Sequence, residues 1–280
     1  MSRSKYDWTQ SKFDKFIKEG RGQGHGKNYK PWITTQEVPS TGRRSRIAGW
    51  KSERLHHVLS DREANYLYIL DWADDVIDIR EQFPLIDLEA AQIFASDMGV
   101  KYPTVNKTNV PYVLSTDFFI TVNRNGQTQD IARTIKYAKD LDRRSVIEKF
   151  EIERRYWAAK GINWGIVNEN EMPKVLVANL QHYHPDYQLE PTKNIELPQL
   201  LWIADLLKER LHLSKQSVLK ITNSLDAEMQ IEGGICLRVF RHLVARKEIL
   251  LDLTQKIDLN KSAQSLVTIV FGRERKERRA

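Results

Sequence analysis

The chain has 280 residues, of which 41% are hydrophobic and 29% are charged, and its formal net charge is +7 at pH 7. This length exceeds that of a typical single domain, so we expect one large or two modest domains, each with its own hydrophobic core. There is no apolar run of about 18 residues, and the basic N-terminus lacks the apolar segment of a signal peptide, so we expect a cytoplasmic protein without membrane contact. Cys236 is the single cysteine, which excludes an intramolecular disulfide and a cysteine-rich zinc site.

Positive charge is concentrated in residues 1–60, which we call the basic arm. This arm contains 13 Lys or Arg against 5 Asp or Glu, and it is interleaved with aromatic residues. Because Lys and Arg replace the counterions condensed on phosphate, the arm favours a polyanionic partner such as DNA. An ordinary solvated basic surface is the alternative. The candidate DNA-binding residues are Arg21, Lys27, Lys30, Arg43, Arg44 and Arg46.

Apolar spacing predicts a short amphipathic helix within residues 1–19, and the segment after it has glycine at positions 20, 22, 24 and 26. This segment resembles a phosphate-binding loop, but no Lys-Ser/Thr pair follows it and no strand precedes it. A nucleotide P-loop is therefore not expected. Glycines instead allow the backbone to approach another surface closely, and DNA is one candidate for that surface. The rest of the segment, up to Lys51, is expected to be loop.

Ser60 and Glu63 precede an apolar segment, residues 64–70, and form the Ser-x-x-Glu pattern of a helix N-terminus. In one interpretation Glu63 only accepts hydrogen bonds from donors of the first turn. The helical phase indicates in addition that Glu63 faces the core, because at about 100° per residue it lies in the same stripe as the inward-facing leucines. A carboxylate that faces the core must be paired or must hold a metal ion, so metal ligation by Glu63 is the second interpretation.

The strongest local signal is Asn125-Gly126, which lies between two segments rich in β-branched and aromatic residues, 115–122 and 131–137. An Asn-Gly pair between such segments predicts two antiparallel strands joined by a tight turn. The register of the hairpin then follows from the two-residue turn.

This register brings three polar side chains together. It places Asp117 opposite Thr134, and because side chains alternate across a strand, Thr134 and Lys136 share a face with Asp117. Cross-strand neighbours lie about 5 Å apart. An acid, a hydroxyl and an amine in one patch match the Asp…(Asp/Glu)-x-Lys spacing of metal-dependent nucleases. An ordinary hairpin with scattered polar residues is the alternative.

Three further elements complete this core. They are a strand at 76–83, a helix at 143–160 and a strand at 163–167. Together with the helix after Ser60 and the hairpin, they give the order αβββαβ. We therefore predict an α/β fold with a restriction-endonuclease-like mixed sheet and helices on both faces. This would be the catalytic domain, residues 1–170 including the basic arm.

Residues 171–280 are predicted as a mostly helical second domain. Three helices and a strand pair are expected at 200–211, 218–229, 234–246, 249–253 and 267–270. This order is typical of a winged-helix module, which binds DNA or partner proteins. The domain is nearly neutral apart from its basic last residues, so partner contact is at least as well supported as base reading. His182 and His184 have the spacing of a strand-borne metal pair, but no third ligand is in view, so a surface pair is favoured.

Seven uncommon strings occur in order over roughly residues 15–180: Glu19 to Lys27, Tyr29 to Trp32, Glu37 to Ser40, His56 to Asp61 with Glu63, Asp78 to Leu85, Ser115 to Phe118, and Glu153 to Trp157. Together they closely resemble the TnsA family, the endonuclease subunits of multi-component bacterial cut-and-paste transposons. The C-terminal third resembles that family only in length and helical character. Within these strings Glu153 is expected to be structural or to support the metal ligands from behind.

The resemblance implies a nuclease that cleaves the 5′ ends of a transposon in a bacterial, nucleoid-associated setting. We expect Mg²⁺ as its cofactor, with Mn²⁺ as a substitute. The implied partners are the double-stranded DNA of the transposon ends, a TnsB-type transposase that cuts and joins the 3′ ends, and a TnsC-type AAA+ ATPase that couples both to target choice.

Carried over by position, the family's catalytic acids fall on Glu63 and Asp117, and its lysine falls on Lys136. The two carboxylates would bind the metal, with Thr134 and the carbonyl of Ile135 as further candidates. Thr134 departs from the pattern, because the wider nuclease class has Asp or Glu there and TnsA relatives have Gln. This departure weakens the case for direct metal binding by the Thr134 hydroxyl.

Two other functions remain open. The Thr134 departure favours a non-enzymatic DNA-binding or assembly adaptor with a degenerate nuclease core. Metal binding that depends on Glu63 and Asp117 would distinguish the two, because a degenerate site should show none. A stand-alone restriction or repair nuclease is the third possibility, and it should cut DNA without partner proteins.

Overall fold

The computed structural model describes residues 8–37, 43–105 and 109–271. The chain divides into two compact units, Met1–Pro173 and Lys174–Ala280. The predicted domain boundary at residue 170 falls close to this division. Within the described residues, no helix has both the length and the apolar character needed to cross a membrane.

The first unit contains the elements that the sequence predicted, with additions. Its helices and strands are α1 (Gln10–Lys18), β1 (Ser45–Ala48), β2 (Leu55–Val58), α2 (Asp61–Trp72), β3 (Val76–Pro84), α3 (Leu88–Asp97), β4 (Ser115–Arg124), β5 (Gln127–Ile135), α4 (Arg144–Ala159) and β6 (Asn163–Val167). From α2 onward the order αβββαβ is confirmed, with α3 inserted between the first two strands. The basic arm was expected to be loop up to Lys51, whereas β1 lies within that segment and pairs with β2.

The four-stranded sheet has the order β3-β4-β5-β6, which makes β3 and β6 its edge strands. Strand β4 is antiparallel to both of its neighbours and β5 is parallel to β6, so the prediction of a mixed sheet is confirmed. The hairpin register is confirmed as well, because Phe118 pairs with Arg133. The turn residues Asn125 and Gly126 have φ angles of 53° and 82°. Positive φ at both positions is what a tight type I′ turn requires.

Helices α2 and α4 cover opposite faces of the sheet, as two neighbouring residues of β4 show. The ring centroid of Phe118 lies 5.6 Å from that of Tyr66 on α2, and the centroid of Phe119 lies 4.9 Å from that of Trp157 on α4. Both phenylalanines are buried. Burial of such a side chain contributes about 1.5–3 kcal/mol, so each face adds to the stability of the central strands.

The aromatic residues of the basic arm that the sequence singled out are buried. Trp8, Tyr29, Trp32 and Trp50 are each no more than 8% exposed. The Trp32 ring packs against Phe16 on α1, with ring centroids 5.2 Å apart, and the predicted amphipathic helix is thereby confirmed. The sequence associated these aromatic residues with a polyanionic partner, and the structure corrects that interpretation, because burial takes their rings out of reach of DNA.

The basic arm is attached to the edge strand β3. The backbone N–H of Trp32 donates to the carbonyl oxygen of Gln82 at 3.2 Å. In the glycine-rich segment, Gly22 lies directly against Pro84, because a Cβ atom on Gly22 would be 2.3 Å from the Pro84 Cγ atom. At Gly22, the close approach that glycine permits is therefore to the protein's own sheet and not to DNA.

The second unit contains α5 (Lys174–Tyr183), α6 (Leu197–Leu211), α7 (Val218–Glu228), α8 (Ile235–Ala245), β7 (Ile249–Leu250), α9 (Ala263–Leu266) and β8 (Thr268–Ile269). The three predicted helices are present, and β7 pairs with β8 in antiparallel fashion. His182 lies in α5 and is exposed, whereas His184 follows α5 and is only 6% exposed. They do not form the expected surface pair, because this segment is helical and turns the two side chains differently. The basic last residues, 272–280, lie outside the described residues.

We predict that Gly22→Ala destabilises the protein more than Gly20→Ala does. Both glycines have positive φ, at 74° and 72°, so each alanine costs about 1–2 kcal/mol in backbone strain. Only Gly22 has a close neighbour, and overpacking adds about 1–3 kcal/mol. Urea denaturation should show a free energy of unfolding lowered by about 1–2 kcal/mol for Gly20→Ala and about 2–5 kcal/mol for Gly22→Ala. Equal losses in the two variants would contradict the packing of this segment against Pro84.

Candidate active site

Glu63 lies in the first turn of α2, where short-range contacts hold its carboxylate. The helix begins after Ser60, whose Oγ accepts a hydrogen bond from the Glu63 backbone N–H at 3.2 Å. The Glu63 Oε1 atom accepts from the Ser60 hydroxyl at 2.9 Å, and Oε2 accepts from the Leu59 N–H at 2.8 Å. Glu63 therefore does cap the helix. Glu63 is nonetheless only 7% exposed, so the carboxylate that caps the helix is also buried.

Asp117 is the second carboxylate, and the hairpin places it. Its Oδ2 atom accepts a hydrogen bond from the backbone N–H of Ile135 at 2.7 Å. The side chain of Gln82 hydrogen-bonds Asp117. The Nε2 atom of Gln82 also donates to Oε2 of Glu63 at 3.2 Å. Gln82 therefore bridges the two carboxylates that come from α2 and β4.

Strands β3 and β4 both depart from regular geometry where they carry these groups. Gln82 has a φ of 49°, in the left-handed region. On β4, Thr116 accepts a hydrogen bond from the Trp157 indole at 2.7 Å, and the Phe119 ring packs against the same indole at a tilt of 46°. Residues three apart on a regular strand face opposite sides, so the alternation is interrupted between them. This interruption turns the carboxylate of the intervening Asp117 away from α4.

The two carboxylates are electrostatically unfavourable neighbours. Burial and, after it, the negative charge of Asp117 raise the pKa of Glu63 to about 8. Burial also raises the pKa of Asp117, although the Ile135 N–H and the ammonium groups of Lys149 and Lys136 oppose that shift. Two adjacent acids with raised pKa values are typical of a functional site, and a bound divalent cation would relieve their repulsion.

Lys136 directly follows β5 and is half-buried. Its backbone N–H donates to the carbonyl oxygen of Val167 at 3.0 Å, which extends the pairing of β5 with β6. Its positive charge lowers the pKa of Asp117 against the larger effect of burial. The structure therefore brings Glu63 and Asp117 together through Gln82, and the charge of Lys136 acts on Asp117.

Thr134 lies with a different set of side chains. Its hydroxyl donates to Oε1 of Glu153, and the indole Nε1 of Trp164 lies 3.3 Å from the same hydroxyl oxygen. The predicted grouping of Thr134 with the catalytic residues on one face is therefore not observed. The reason is the interrupted alternation of β4, together with a buried hydrogen-bond acceptor on α4. Because Glu153 takes up the hydroxyl, we do not retain the Thr134 side chain as a metal ligand.

Glu153 is fully buried behind the site. Besides Thr134, its Oε1 atom accepts hydrogen bonds from the Thr116 hydroxyl at 2.6 Å and from the Trp164 indole at 3.0 Å. Burial raises the pKa of Glu153, and these donors oppose that shift. Within the described ranges its Oε2 atom has no hydrogen-bond partner. Glu153 therefore connects the strands that carry the site without facing the two carboxylates.

Five of the six candidate DNA-binding residues have exposed side chains: Lys27, Lys30, Arg43, Arg44 and Arg46. Arg21 differs, because its guanidinium donates to the carboxylates of Glu19 and Glu37 and to the Trp32 carbonyl. It also stacks on the Phe16 ring, 3.6 Å from the centroid. Because its guanidinium donors are bonded to other residues of the arm, Arg21 is not a candidate for contact with DNA.

A hard divalent cation fits the two carboxylates. Over residues 8–37, 43–105 and 109–271, no group of three or more His, Cys, Asp and Glu side chains is arranged to hold a metal ion. The site thus offers two carboxylates, Glu63 and Asp117, and a Mg²⁺ ion characteristically uses one or two carboxylates and keeps several waters. The raised pKa values of both acids show that the site gains from a positive charge.

Sequence reasoning missed two residues of this site. Gln82 lies on β3 across from Asp117, a position that becomes visible only when the strand order and register are known. Lys149 lies four residues before Glu153 on α4, and its ammonium acts on both Asp117 and Glu153. Its helical spacing from Glu153 is a signal that the sequence does contain.

Comparison with known proteins adds independent evidence. The family model described as "TnsA-like endonuclease N terminal" matches residues 73–169, and the one described as "TnsA endonuclease C terminal" matches residues 171–253. The second match corrects the impression that the C-terminal third resembles the family only in length and helical character. The chain is also 35% identical, over 274 residues, to the "Transposon Tn7 transposition protein TnsA" of Escherichia coli. This alignment covers 98% of this chain and 97% of that protein. The chain therefore belongs to the TnsA family of transposition endonucleases.

Proposed function

We propose that this protein is a Mg²⁺-dependent DNA endonuclease that cleaves the 5′ ends of a transposon during cut-and-paste transposition. A TnsB-type transposase would cut and join the 3′ ends, and a TnsC-type AAA+ ATPase would couple both to target choice. The observation that carries the proposal is the bridging of Glu63 and Asp117 by Gln82, two acids whose raised pKa values favour a bound cation. Membership of the TnsA family supports the transposition context.

Glu63 and Asp117 would hold the metal, with the carbonyl oxygen of Ile135 as a further ligand. Mg²⁺ prefers carboxylate and carbonyl oxygens and keeps several waters, and Mn²⁺ accepts the same ligands. When bound, the cation lowers the pKa of a coordinated water and neutralises charge on the phosphate. Thr134 is left out of this set because its hydroxyl is bonded to Glu153.

The protein's own residues would prepare hydrolysis of the phosphodiester in three ways. Gln82 contacts both carboxylates and so keeps them at a fixed separation. The Ile135 N–H fixes the orientation of Asp117. Lys136 would orient the attacking water and stabilise the negative charge that develops on the phosphate oxygens. Preorganised groups of this kind lower the barrier because they need not rearrange during the reaction.

We further propose that the first unit has the restriction-endonuclease-like fold and that the second is a winged-helix-like module for partner contact. In the second unit, eight of the eleven residues of α8 are buried. The guanidinium Nε of Arg241 on this helix donates to Asp186 at 2.6 Å. A recognition helix that reads bases needs a free face, so the burial of α8 favours a protein partner over base reading.

The alternative function is a DNA-binding or assembly adaptor without catalysis. The orientation of Thr134 toward Glu153 favours it, because the metal site then has two side-chain ligands instead of three. The adaptor and the nuclease share the exposed cations of the basic arm, so DNA binding does not separate them. Metal binding and strand cleavage do, and the next prediction rests on both.

We predict that Asp117→Asn abolishes strand cleavage and spares DNA binding. Loss of a metal ligand should lower the rate by at least about 100-fold, which corresponds to about 2.7 kcal/mol of transition-state stabilisation. The assay is nicking of a transposon-end DNA with Mg²⁺ or Mn²⁺ and TnsB- and TnsC-type proteins. Asp97→Asn, at an exposed position at the end of α3, is the matched control and should cut normally.

Calorimetric titration with Mg²⁺ accompanies this assay. The wild type should show binding heat that disappears in both Asp117→Asn and Glu63→Gln. Robust nicking by Asp117→Asn would contradict the assignment of Asp117 to the active site. Absence of any heat that depends on the two carboxylates would instead favour the adaptor.

We predict that Glu63→Gln stabilises the metal-free protein at pH 8 and not at pH 4.5. The pKa of Glu63 is raised from 4.5 to about 8 in the folded protein. As the pH rises through that interval, the free energy of unfolding falls, because the unfolded chain loses its proton first. One pKa unit corresponds to about 1.4 kcal/mol, so the gain should reach a few kcal/mol at pH 8. Thermal unfolding at both pH values measures it. A melting temperature lowered at pH 8 would show that burial of this carboxylate is not unfavourable.

We predict that the exposed cations of the basic arm set the salt dependence of DNA affinity. Replacing both Lys27 and Arg46 with Ala should reduce the slope of log affinity against log salt concentration by about 1–2, because each phosphate contact contributes about 0.9. Arg21→Gln is the contrasting variant, which should lower the melting temperature with little change in that slope. An unchanged slope in the double variant would place the DNA elsewhere.

A further inference from the structure

Helix α4 is anchored next to the proposed catalytic residues. Its Glu153 accepts hydrogen bonds from Thr116 on β4 and Thr134 on β5. Thr116 directly precedes Asp117, and Thr134 directly precedes Ile135, whose N–H holds the Asp117 carboxylate. The position of α4 along the two strands is therefore determined at the point where they carry the site.

Lys149 lies on the same face of α4 as Glu153, because residues four apart on a helix are neighbours. It is four residues, or about 6 Å, closer to the start of α4. Side chains of a helix lean toward its N-terminus, which increases this offset. The start of α4 follows the end of β5 after a short connection that begins with Lys136. Lys149 therefore lies beyond the buried Glu153 cluster, on the side where the chain leaves β5.

The charge of Lys149 acts on the site. Burial is the largest influence on the pKa of Asp117 and raises it, and among the charged side chains Lys149 opposes that rise more strongly than Lys136 does. Lys149 also opposes the rise in the pKa of Glu153. The charge of the ammonium group therefore acts on both the buried Glu153 and Asp117.

Lys149 has no ion pair with a described residue, unlike its neighbours on α4. Glu148 pairs with Arg144 at 2.7 Å, and Glu151 pairs with the two arginines that follow Glu153. Lys149 itself is half-buried. Among the described residues it makes neither a hydrogen bond nor an ion pair that would account for this position. A half-buried ammonium that makes no direct ion pair gains a partner when a ligand supplies a negative charge.

We propose that Lys149 is a second active-site cation, which contacts a non-bridging oxygen of the scissile phosphate when DNA lies over Glu63 and Asp117. This inference rests on the proposed nuclease function and deepens it. Lys136 approaches the site from just after the end of β5 and Lys149 from α4, so the two would bracket the phosphate. A point charge of this kind stabilises the extra negative charge of the transition state.

The test compares Lys149→Met with Lys160→Met in the full chain. Both substitutions remove an ammonium from α4 and keep an unbranched side chain. Lys160 lies at the opposite end of the helix, where it pairs with Asp87 at 3.7 Å. Cleavage of a transposon-end DNA is measured under single-turnover conditions with Mg²⁺ and TnsB- and TnsC-type proteins. We expect the Lys149→Met rate to fall by about 10- to 1000-fold and the Lys160→Met rate to stay within about 2-fold of wild type.

Two further measurements distinguish a phosphate contact from a structural role. DNA affinity in Ca²⁺, measured by fluorescence anisotropy, should fall in Lys149→Met, and the salt slope should decrease by about 1 relative to Lys160→Met. The melting temperature and the calorimetric Mg²⁺ affinity should remain close to those of wild type. A loss of cleavage that is accompanied by loss of stability or of Mg²⁺ binding would overturn the proposal, because Lys149 would then serve only as a counterion to Glu153 and Asp117.

The outcomes also separate this inference from the proposed function. If Asp117→Asn stops cleavage and Lys149→Met cuts like wild type with an unchanged salt slope, the role of Lys149 is wrong and the nuclease stands. If the wild type shows no cleavage that depends on Asp117, the nuclease is wrong. The anisotropy measurement then still decides whether Lys149 contacts a DNA phosphate.

Discussion

The carboxylate of Glu153 joins α4 to the two strands that carry the proposed active site. It accepts hydrogen bonds from the hydroxyls of Thr116 and Thr134, each of which directly precedes a residue of that site. Because Glu153 is fully buried, a missing donor would leave a polar group unsatisfied at a cost of about 1–3 kcal/mol. The contact therefore holds β4 and β5 at one offset along the strands. At that offset the backbone N–H of Ile135 reaches the Asp117 carboxylate at 2.7 Å.

The electrostatics of the site are incomplete in the protein alone. Glu63 and Asp117 repel each other when both are ionised, and burial raises the pKa of each. Lys136 and Lys149 add two positive charges close to Asp117 that no described carboxylate neutralises through an ion pair. A divalent cation would balance the acids and a phosphate would balance the lysines. The arrangement costs stability in the free protein, and that cost is the reason why metal and DNA should bind.

Local sequence signals predicted the parts of the site that local structure determines. The turn at Asn125-Gly126 sets the hairpin register, and the capping pattern before α2 sets the helical phase that turns Glu63 inward. The orientation of Thr134 could not be predicted in this way, because it depends on an acceptor on α4 and on a strand irregularity near Asp117. Gln82 was missed for a related reason. Its left-handed backbone and its contacts with both carboxylates arise only when three elements meet.

The basic arm shows why a charge count does not identify a DNA contact. Arg21 contributes to the net charge, yet its guanidinium is used by Glu19 and Glu37 within the arm. Among the aromatic and glycine residues that accompany the charges, Gly22 packs against Pro84 and Tyr29 stacks on Phe83, both on β3, the edge strand. There the backbone N–H of Trp32 donates to the carbonyl of Gln82, the residue whose side chain bridges Glu63 and Asp117. An edge strand covered in this way is protected from pairing with other chains. The same attachment ties the exposed cations of the arm to the strand that supports the proposed site, so DNA held by the arm would be held close to the proposed metal ligands.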